Sequence, residues 1–282
     1  MHKPKRETFI LPETSFKDWD KILSNPKKIK SLVINTGQLH IANWFFLNMG
    51  HPNAKSLKKE KIRVPVYCNL IQHSTYGDYI VDAGLDRSFQ QDTHGNIRGL
   101  LRKIMWPLNS YQEKGQDIET QLSKMNIDLK GIFFTHLHID HVAGMQHLTK
   151  TIPIVVGKGE PYHSFGPFFY QDHFEGVEKI FEIDFDKVRN IPPLGHCADI
   201  FGDGSFWAIN TPGHRKGHVS YFINGEVPTL LTGDACDIKL GFEKSVGPGF
   251  GSYDKSEAQQ SLEKMIAFVN KYPHIKVVFG HD

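Results

Sequence analysis

The 282-residue sequence is poor in the features that would settle a class by themselves. Cysteine is scarce, with only Cys68, Cys197 and Cys236, far apart in the chain. They make no disulfide framework and fit a reducing compartment, so a cytoplasmic location is expected, with export left open. No run approaches the ~20 apolar residues of a membrane-spanning helix. The basic start, Met1 to Arg6, has no apolar segment behind it to make a signal peptide. An excess of one charge is also missing: 33 Lys and Arg against 31 Asp and Glu leave a net charge of +2. That is too little to argue for nucleic acid or an acidic membrane surface. No internal repeat, low-complexity tract or linker breaks the chain, and 39% hydrophobic residues are enough for a sizeable core. One domain over residues 1–282 is expected, its first 60 residues a polar, lysine-rich wrap and pocket segment.

Histidine, in contrast, is abundant, with 16 residues. The densest run, Thr135-His136-Leu137-His138-Ile139-Asp140-His141, follows the apolar Gly131-Ile132-Phe133-Phe134, which reads as a buried strand. In a strand-end loop, His136 and His138 can point to one side while Asp140 and His141 turn into a helix beginning there. Two ligand pairs imply two metal ions, imidazole suiting zinc and the carboxylate adding a hard oxygen. Three further apolar strands end in residues of the same kind: His214 after Trp207–Ile209, Asp234 after Leu230-Leu231, His281 after Val277–Phe279. Singly each is an ordinary turn residue. Together, four strand ends carrying ligand-type side chains point to a metal centre.

Around these, strands are expected at Ser31–Asn35, at Val64–Ile71 and Tyr79–Val81 as a hairpin, and at Ile152–Val156. Helices are expected at Ile97–Met105, Ile118–Met125 and Val142–Leu148. Four or five strands should follow Gly176, before a long last helix opened by a capping box of Asp254 and Glu257. The aromatic stretches Gln38–Leu47 and Pro161–Gly176 suit either core or pocket wall.

The set His136-X-His138-X-Asp140-His141, with His214, Asp234 and His281, resembles the signature of the metallo-β-lactamase superfamily. Thr211-Pro212-Gly213-His214-Arg215-Lys216-Gly217-His218 looks like a segment common in its hydrolases. Val64–Cys68 and Ile80–Gly84 are similar to the opening hairpin of the N-acyl homoserine lactonases, the quorum-quenching members. The resemblance implies an α/β fold, an αββα sandwich of two mixed β-sheets flanked by helices. It also implies one metal held by His136, His138 and His214, another by Asp140, His141 and His281, and Asp234 bridging both. The ions would be two divalent metals, zinc first, with Co²⁺, Mn²⁺ or Fe²⁺ as alternatives. A hydroxide between them would attack the lactone carbonyl, and Asp140 would carry the proton to the leaving oxygen.

The function so implied is opening of the lactone ring of N-acyl homoserine lactones. The partner would be that small molecule and, at most, a second copy of the chain in a homodimer, with no nucleic acid or membrane. Asp82 and His218 are expected to orient ligands. Trp44, Phe45, Phe46, Phe165, Phe168, Phe169, Tyr170 and Asp237 are candidates for substrate contact. One departure stands out: those lactonases carry a tyrosine three residues after the bridging Asp, where this chain has Asp237. The assistance of that hydroxyl is then either lost or supplied from elsewhere, with Tyr170 and Tyr253 as the candidates. The chief rival is a glyoxalase II-like thioesterase or other ester hydrolase on the same ligands. The thioesterases carry a helical region beyond the position of His281, where this sequence has one residue. A β-lactamase normally lacks the bridging Asp. A metal-free binding protein is the weakest rival, because all seven ligand residues are present.

Overall fold

Two long antiparallel strands dominate the N-terminal third of the computed structural model, in which residues 3–104, 109–162 and 171–282 are described. After β1 (Lys5–Thr8) and α1 (Trp19–Leu23), β2 (Ile29–Ala42) pairs along nearly its whole length with β3 (Lys61–His73). The expected hairpin follows, β3 turning back into β4 (Gly77–Val81). The strand expected to stop at Asn35 instead continues for seven more residues. A bulge between Asn35 and Gly37 absorbs the interruption, the Gly37 N–H donating to Asn35 Oδ1 at 2.9 Å. Its glycine imitates a turn in sequence. The extension matters, because it places Leu39 and Ile41 on one face of β2.

The chain continues through α2 (Gly99–Ile104), β5 (Asn109–Tyr111), α3 (Ile118–Lys124), β6 (Leu129–Phe133), α4 (Ile139–Val142) and β7 (Ile154–Gly157). The helix expected from Val142 begins three residues earlier and gives way to a 3₁₀ turn at Ala143–Gln146. Six strands, not four or five, then precede the last helix: β8 (Lys179–Ile183), β9 (Arg189–Ile191), β10 (Gly195–Asp199), β11 (Phe206–Asn210), β12 (Val219–Ile223) and β13 (Thr229–Leu231). After α5 (Lys239–Lys244) and α6 (Lys255–Lys271), β14 (Lys276–Val278) ends the fold.

Among the described residues the strands form two sheets. One runs β1-β8-β7-β6-β4-β3-β2-β5 and the other β14-β13-β12-β11-β10-β9. Each mixes parallel and antiparallel pairs. The side chains explain the layering. In β11, Phe206 and Ala208 face Val81, Phe133 and Val155 of the opposite sheet, while Trp207 and Ile209 pack against Leu262, Met265 and Phe268 of α6. In β6, Phe133 points between the sheets and Ile132 points out toward Ile118 and Leu122 of α3. Both faces of these strands are buried, so they read as continuous apolar runs rather than as alternating ones. The result is the expected αββα sandwich, and helix, sheet, sheet and helix follow in order.

Two details correct the sequence reading. The N-terminal segment does more than wrap: β1 adds a parallel edge strand beside β8, and Trp19 and Ile22 of α1 are buried against Trp207 and Phe222. At α6, Asp254 caps through Ser256 and Glu257 N–H, but its own N–H donates to the Gly213 carbonyl. The reciprocal half of a capping box is therefore absent, and the helix start is tied to the Thr211–His218 loop instead. No helix among the described residues is long and apolar enough to cross a membrane.

Candidate metal centre

Topology brings the four ligand-bearing strand ends to one edge. β13 and β14 are parallel, so Asp234 and His281 leave the sheet at the same end. β11 and β13 both run antiparallel to β12, which puts the His214 loop at that end too. From the facing sheet, β6 delivers His136 and His138, and α4 carries Asp140 and His141. The ligand atoms of His136, His138, His214 and Asp234 lie within 4.8 Å of one another, as do those of Asp140, His141 and His281. Asp234 faces both groups. Its Oδ2 is 3.4 Å from His214 Nε2 and 3.6 Å from His136 Nε2; its Oδ1 is 3.3 Å from His141 Nε2 and 3.6 Å from His281 Nε2.

The local chain is shaped to hold these positions. Asp82 adopts φ 63°, an uncommon left-handed conformation for a residue with a side chain. That turn sends its carboxylate into the site. There it accepts from Thr135 N–H at 2.8 Å and lies 2.8 Å from His141 Nδ1. His218 works on the other side, its Nδ1 2.9 Å from Thr211 Oγ1 and its Nε2 accepting the Asp234 N–H at 3.0 Å. At Gly233 (φ 52°) a Cβ would meet Thr135 Cγ2 at 2.8 Å and His218 Nε2 at 2.9 Å, so the residue before Asp234 must be glycine. Glu160, given no role in the sequence reading, is fully buried and laces the two histidine loops together. It accepts from Leu137 N–H at 3.2 Å, Arg215 Nε at 3.2 Å and Gly217 N–H at 3.3 Å.

The electrostatics suit cations. Burial, with neighbouring imidazoles adding to it, holds His136 and His138 well below the ordinary histidine range and His214 at about 4. His218 is lowered by burial to about 3. Burial alone would also lower His141, but Asp234, Asp82 and Asp140 outweigh it and raise that imidazole. Burial alone would raise Asp234, yet His141, His136 and His281 around it hold its carboxyl well below the usual range. Nε2 of His136, His141 and His281 and Oδ1 of Asp234 are buried without a hydrogen bond. Buried polar atoms left in that state call for a partner. Imidazole nitrogens converging on a shared carboxylate fit two divalent metal ions.

A pocket opens directly on the cluster. Leu39, Ile41, Phe45, Phe46, Leu85, Ile139 and Phe250 form its apolar wall, and His138, Asp140, His214, Asp234 and Asp237 its polar floor. Of the expected wall residues, Phe45 and Phe46 line it. Trp44 instead backs the wall, stacked on Phe45 with ring centroids 4.3 Å apart. Phe165, Phe168, Phe169 and Tyr170 lie outside the described residues. Tyr253 is 67% exposed and does not line the pocket. Phe250 was not singled out from the sequence, because only the folded loop before α6 brings it against Trp44 and Phe45.

A sequence profile of the metallo-beta-lactamase superfamily matches residues 62–281, from the start of β3 to the last histidine of the cluster. The chain belongs to that superfamily. Within it, the chain is 29% identical over 229 residues to the N-acyl homoserine lactonase AttM of Agrobacterium fabrum, covering 78% of this chain and 82% of the relative. The lactonase AiiA of Bacillus thuringiensis subsp. kurstaki aligns with the same identity and the same shares. A solved structure of a quorum-quenching N-acyl homoserine lactone hydrolase superposes with a TM-score of 0.68 at 22% identity, over 92% of this chain and 93% of the other. The dizinc quorum-quenching lactonase AidC superposes with a TM-score of 0.59 at 14% identity, over 91% and 88%. These likenesses establish the sandwich independently of the site.

Proposed function

We propose that this chain is a dinuclear metal-dependent hydrolase that opens the lactone ring of N-acyl homoserine lactones, with zinc in its three-histidine site. The observation that carries this reading is the joining of an apolar wall to a metal-ligand floor in one pocket. An acyl homoserine lactone has the matching halves, a polar ring to be attacked and an apolar tail to be held. The lactonase relatives, aligned over most of their length, support the same substrate class. Three imidazoles and one carboxylate are a donor set that suits zinc.

Bound ions of this kind supply a Lewis acid and, by lowering the pKa of water, a nucleophile at neutral pH. The chain's own residues do the rest. Asp140 is the most exposed carboxylate of the set and stands at the pocket floor, its Oδ2 3.4 Å from His281 Nε2. From there it can accept a proton and return it to the leaving ring oxygen. His141, held from behind by Asp82, and Asp234, held by His218, are buried and keep a fixed geometry. Phe45, Phe46 and Phe250 take the tail and exclude water.

The test is a substrate panel on metal-reconstituted protein: acyl homoserine lactones of several chain lengths, a thioester, a β-lactam and a phosphodiester. Lactone turnover exceeding all others is the expected result. Faster thioester cleavage would move the chain to the thioesterases, and no turnover by fully loaded protein would defeat the reading.

A further inference from the structure

Asp237 stands where the lactonase resemblance calls for tyrosine, and its surroundings are those of a cation ligand. The residue is only 3% exposed, it lines the pocket floor, and its Oδ2 is buried without a hydrogen-bond partner. Ligand atoms of Asp237, Asp234 and His281 lie within 4.8 Å of one another. The backbone fixes this placement: His281 N–H donates to the Asp237 carbonyl at 2.6 Å, and Gly280 N–H to the Cys236 carbonyl at 3.3 Å. The turn carrying Asp237 and the segment carrying His281 are therefore laced together. Asp234 Oδ1, beside it, also lacks a hydrogen bond. Two carboxylates buried side by side repel unless a proton or a cation stands between them.

We propose that Asp237 is a further ligand of the second metal ion, the one held by Asp140, His141 and His281, and that it biases that position toward hard ions such as Mn²⁺. The proposal rests on the two-ion reading above. It makes the two positions chemically unequal. The first offers three imidazoles and one carboxylate oxygen, a donor set suited to zinc. The second, with Asp237, offers two imidazoles and the carboxylates of Asp140, Asp234 and Asp237. More oxygen donors and a higher ligand count favour a hard ion that accepts more than four ligands. A tyrosine in place of Asp237 would bring no such charge.

The test uses full-length protein stripped with a chelator, then titrated calorimetrically with Zn²⁺ and separately with Mn²⁺, the bound Mn²⁺ being followed by electron paramagnetic resonance. Wild-type protein should take up two ions. Asp237→Asn should lose at least ~10-fold in Mn²⁺ affinity at one position. Its Zn²⁺ affinity at that position should fall less, and the other position should be unchanged. Asp237→Glu, which keeps the charge, should recover part of the Mn²⁺ loss. Unchanged Mn²⁺ binding in Asp237→Asn would overturn the proposal. So would an equal loss of both ions in both variants, which would mark Asp237 as structural. A wild-type protein binding fewer than two ions would instead defeat the two-ion reading itself.

Discussion

Oδ2 of Asp82 lies 2.8 Å from Nδ1 of His141, and both side chains are buried. With the Nδ1–H donating to Asp82, Nε2 is turned toward Asp234 and Asp140, 3.3 and 3.9 Å away. Carboxylates placed behind a ligating histidine fix its tautomer and raise its basicity, and losing one typically weakens metal affinity ~10–100-fold. Asp82→Asn should therefore weaken one of the two metal positions by that order while the fold survives. Chelator competition on the variant is the check, and wild-type affinity in Asp82→Asn would remove Asp82 from the site.

The ligand cluster was legible in sequence because each of its parts is local. An apolar run predicts a buried strand, and the strand's end fixes where the next polar side chain emerges. The capping interaction at Asp254, the hairpin and the helix over Ile118–Lys124 are local in the same way. What escaped was set by distant parts of the chain. Trp19 looked like part of a polar wrap until Trp207, Phe222 and Phe268 enclosed it. Glu160 carries no sequence signal of its own, since its partners Leu137, Arg215 and Gly217 come from two other loops. Phe250 joins the pocket only through tertiary contact with Trp44 and Phe45, whereas Leu39, Ile41, Phe45 and Phe46 share one local stretch, Gln38–Leu47.

Asp234 is the group whose two oxygens face different histidine sets. Asp234→Asn should lower the metal content from two ions per chain and abolish turnover in step. Elemental analysis beside an activity assay reads both. Two ions and near-normal rates in the variant would show that the two sets do not share this residue.

The apolar wall gives a chain-length test. Phe45 and Phe250 meet edge to face with centroids 5.1 Å apart, and both line the pocket. Removing either ring should cost the acyl tail part of its burial, each buried CH₂ being worth ~0.8 kcal/mol. Phe45→Ala and Phe250→Ala are thus expected to raise KM for long-chain lactones several-fold and for short-chain lactones little, with kcat nearly unchanged. Equal effects on both would place the tail elsewhere.

Glu160 and Arg215 form a part-buried ion pair, the glutamate fully enclosed and the arginine partly open to solvent. Removing Glu160 leaves Arg215 without its counterion and the buried Leu137 and Gly217 N–H groups without their acceptor, and an orphaned buried donor costs ~1–3 kcal/mol. Glu160→Ala should lower stability by about that much in denaturant titration. The histidine loops that Glu160 joins should loosen too, seen as faster amide exchange at Leu137 and Gly217. A stability change below ~1 kcal/mol would mean that solvent already screens Arg215.

His173 offers a pH signature away from the ligand cluster. Its ring is enclosed, with Nε2 3.1 Å from Asn96 Oδ1, and burial, aided by Lys150 and His147, holds its pKa at about 3. In the unfolded chain a histidine titrates near ~6.5. Below that pH the unfolded state binds a proton that the folded state refuses, so stability is complete above ~6.5 and falls progressively as the pH drops toward 3. At ~1.36 kcal/mol per unit, the loss between pH 7 and pH 4 from this residue alone is on the order of 3 kcal/mol. His173→Gln keeps a donor toward Asn96 and cannot be protonated, so its stability should fall less steeply over that interval. Chemical denaturation of both proteins at pH 7 and pH 4 measures the difference. Parallel slopes would mean that acid reaches His173 in the folded protein without cost.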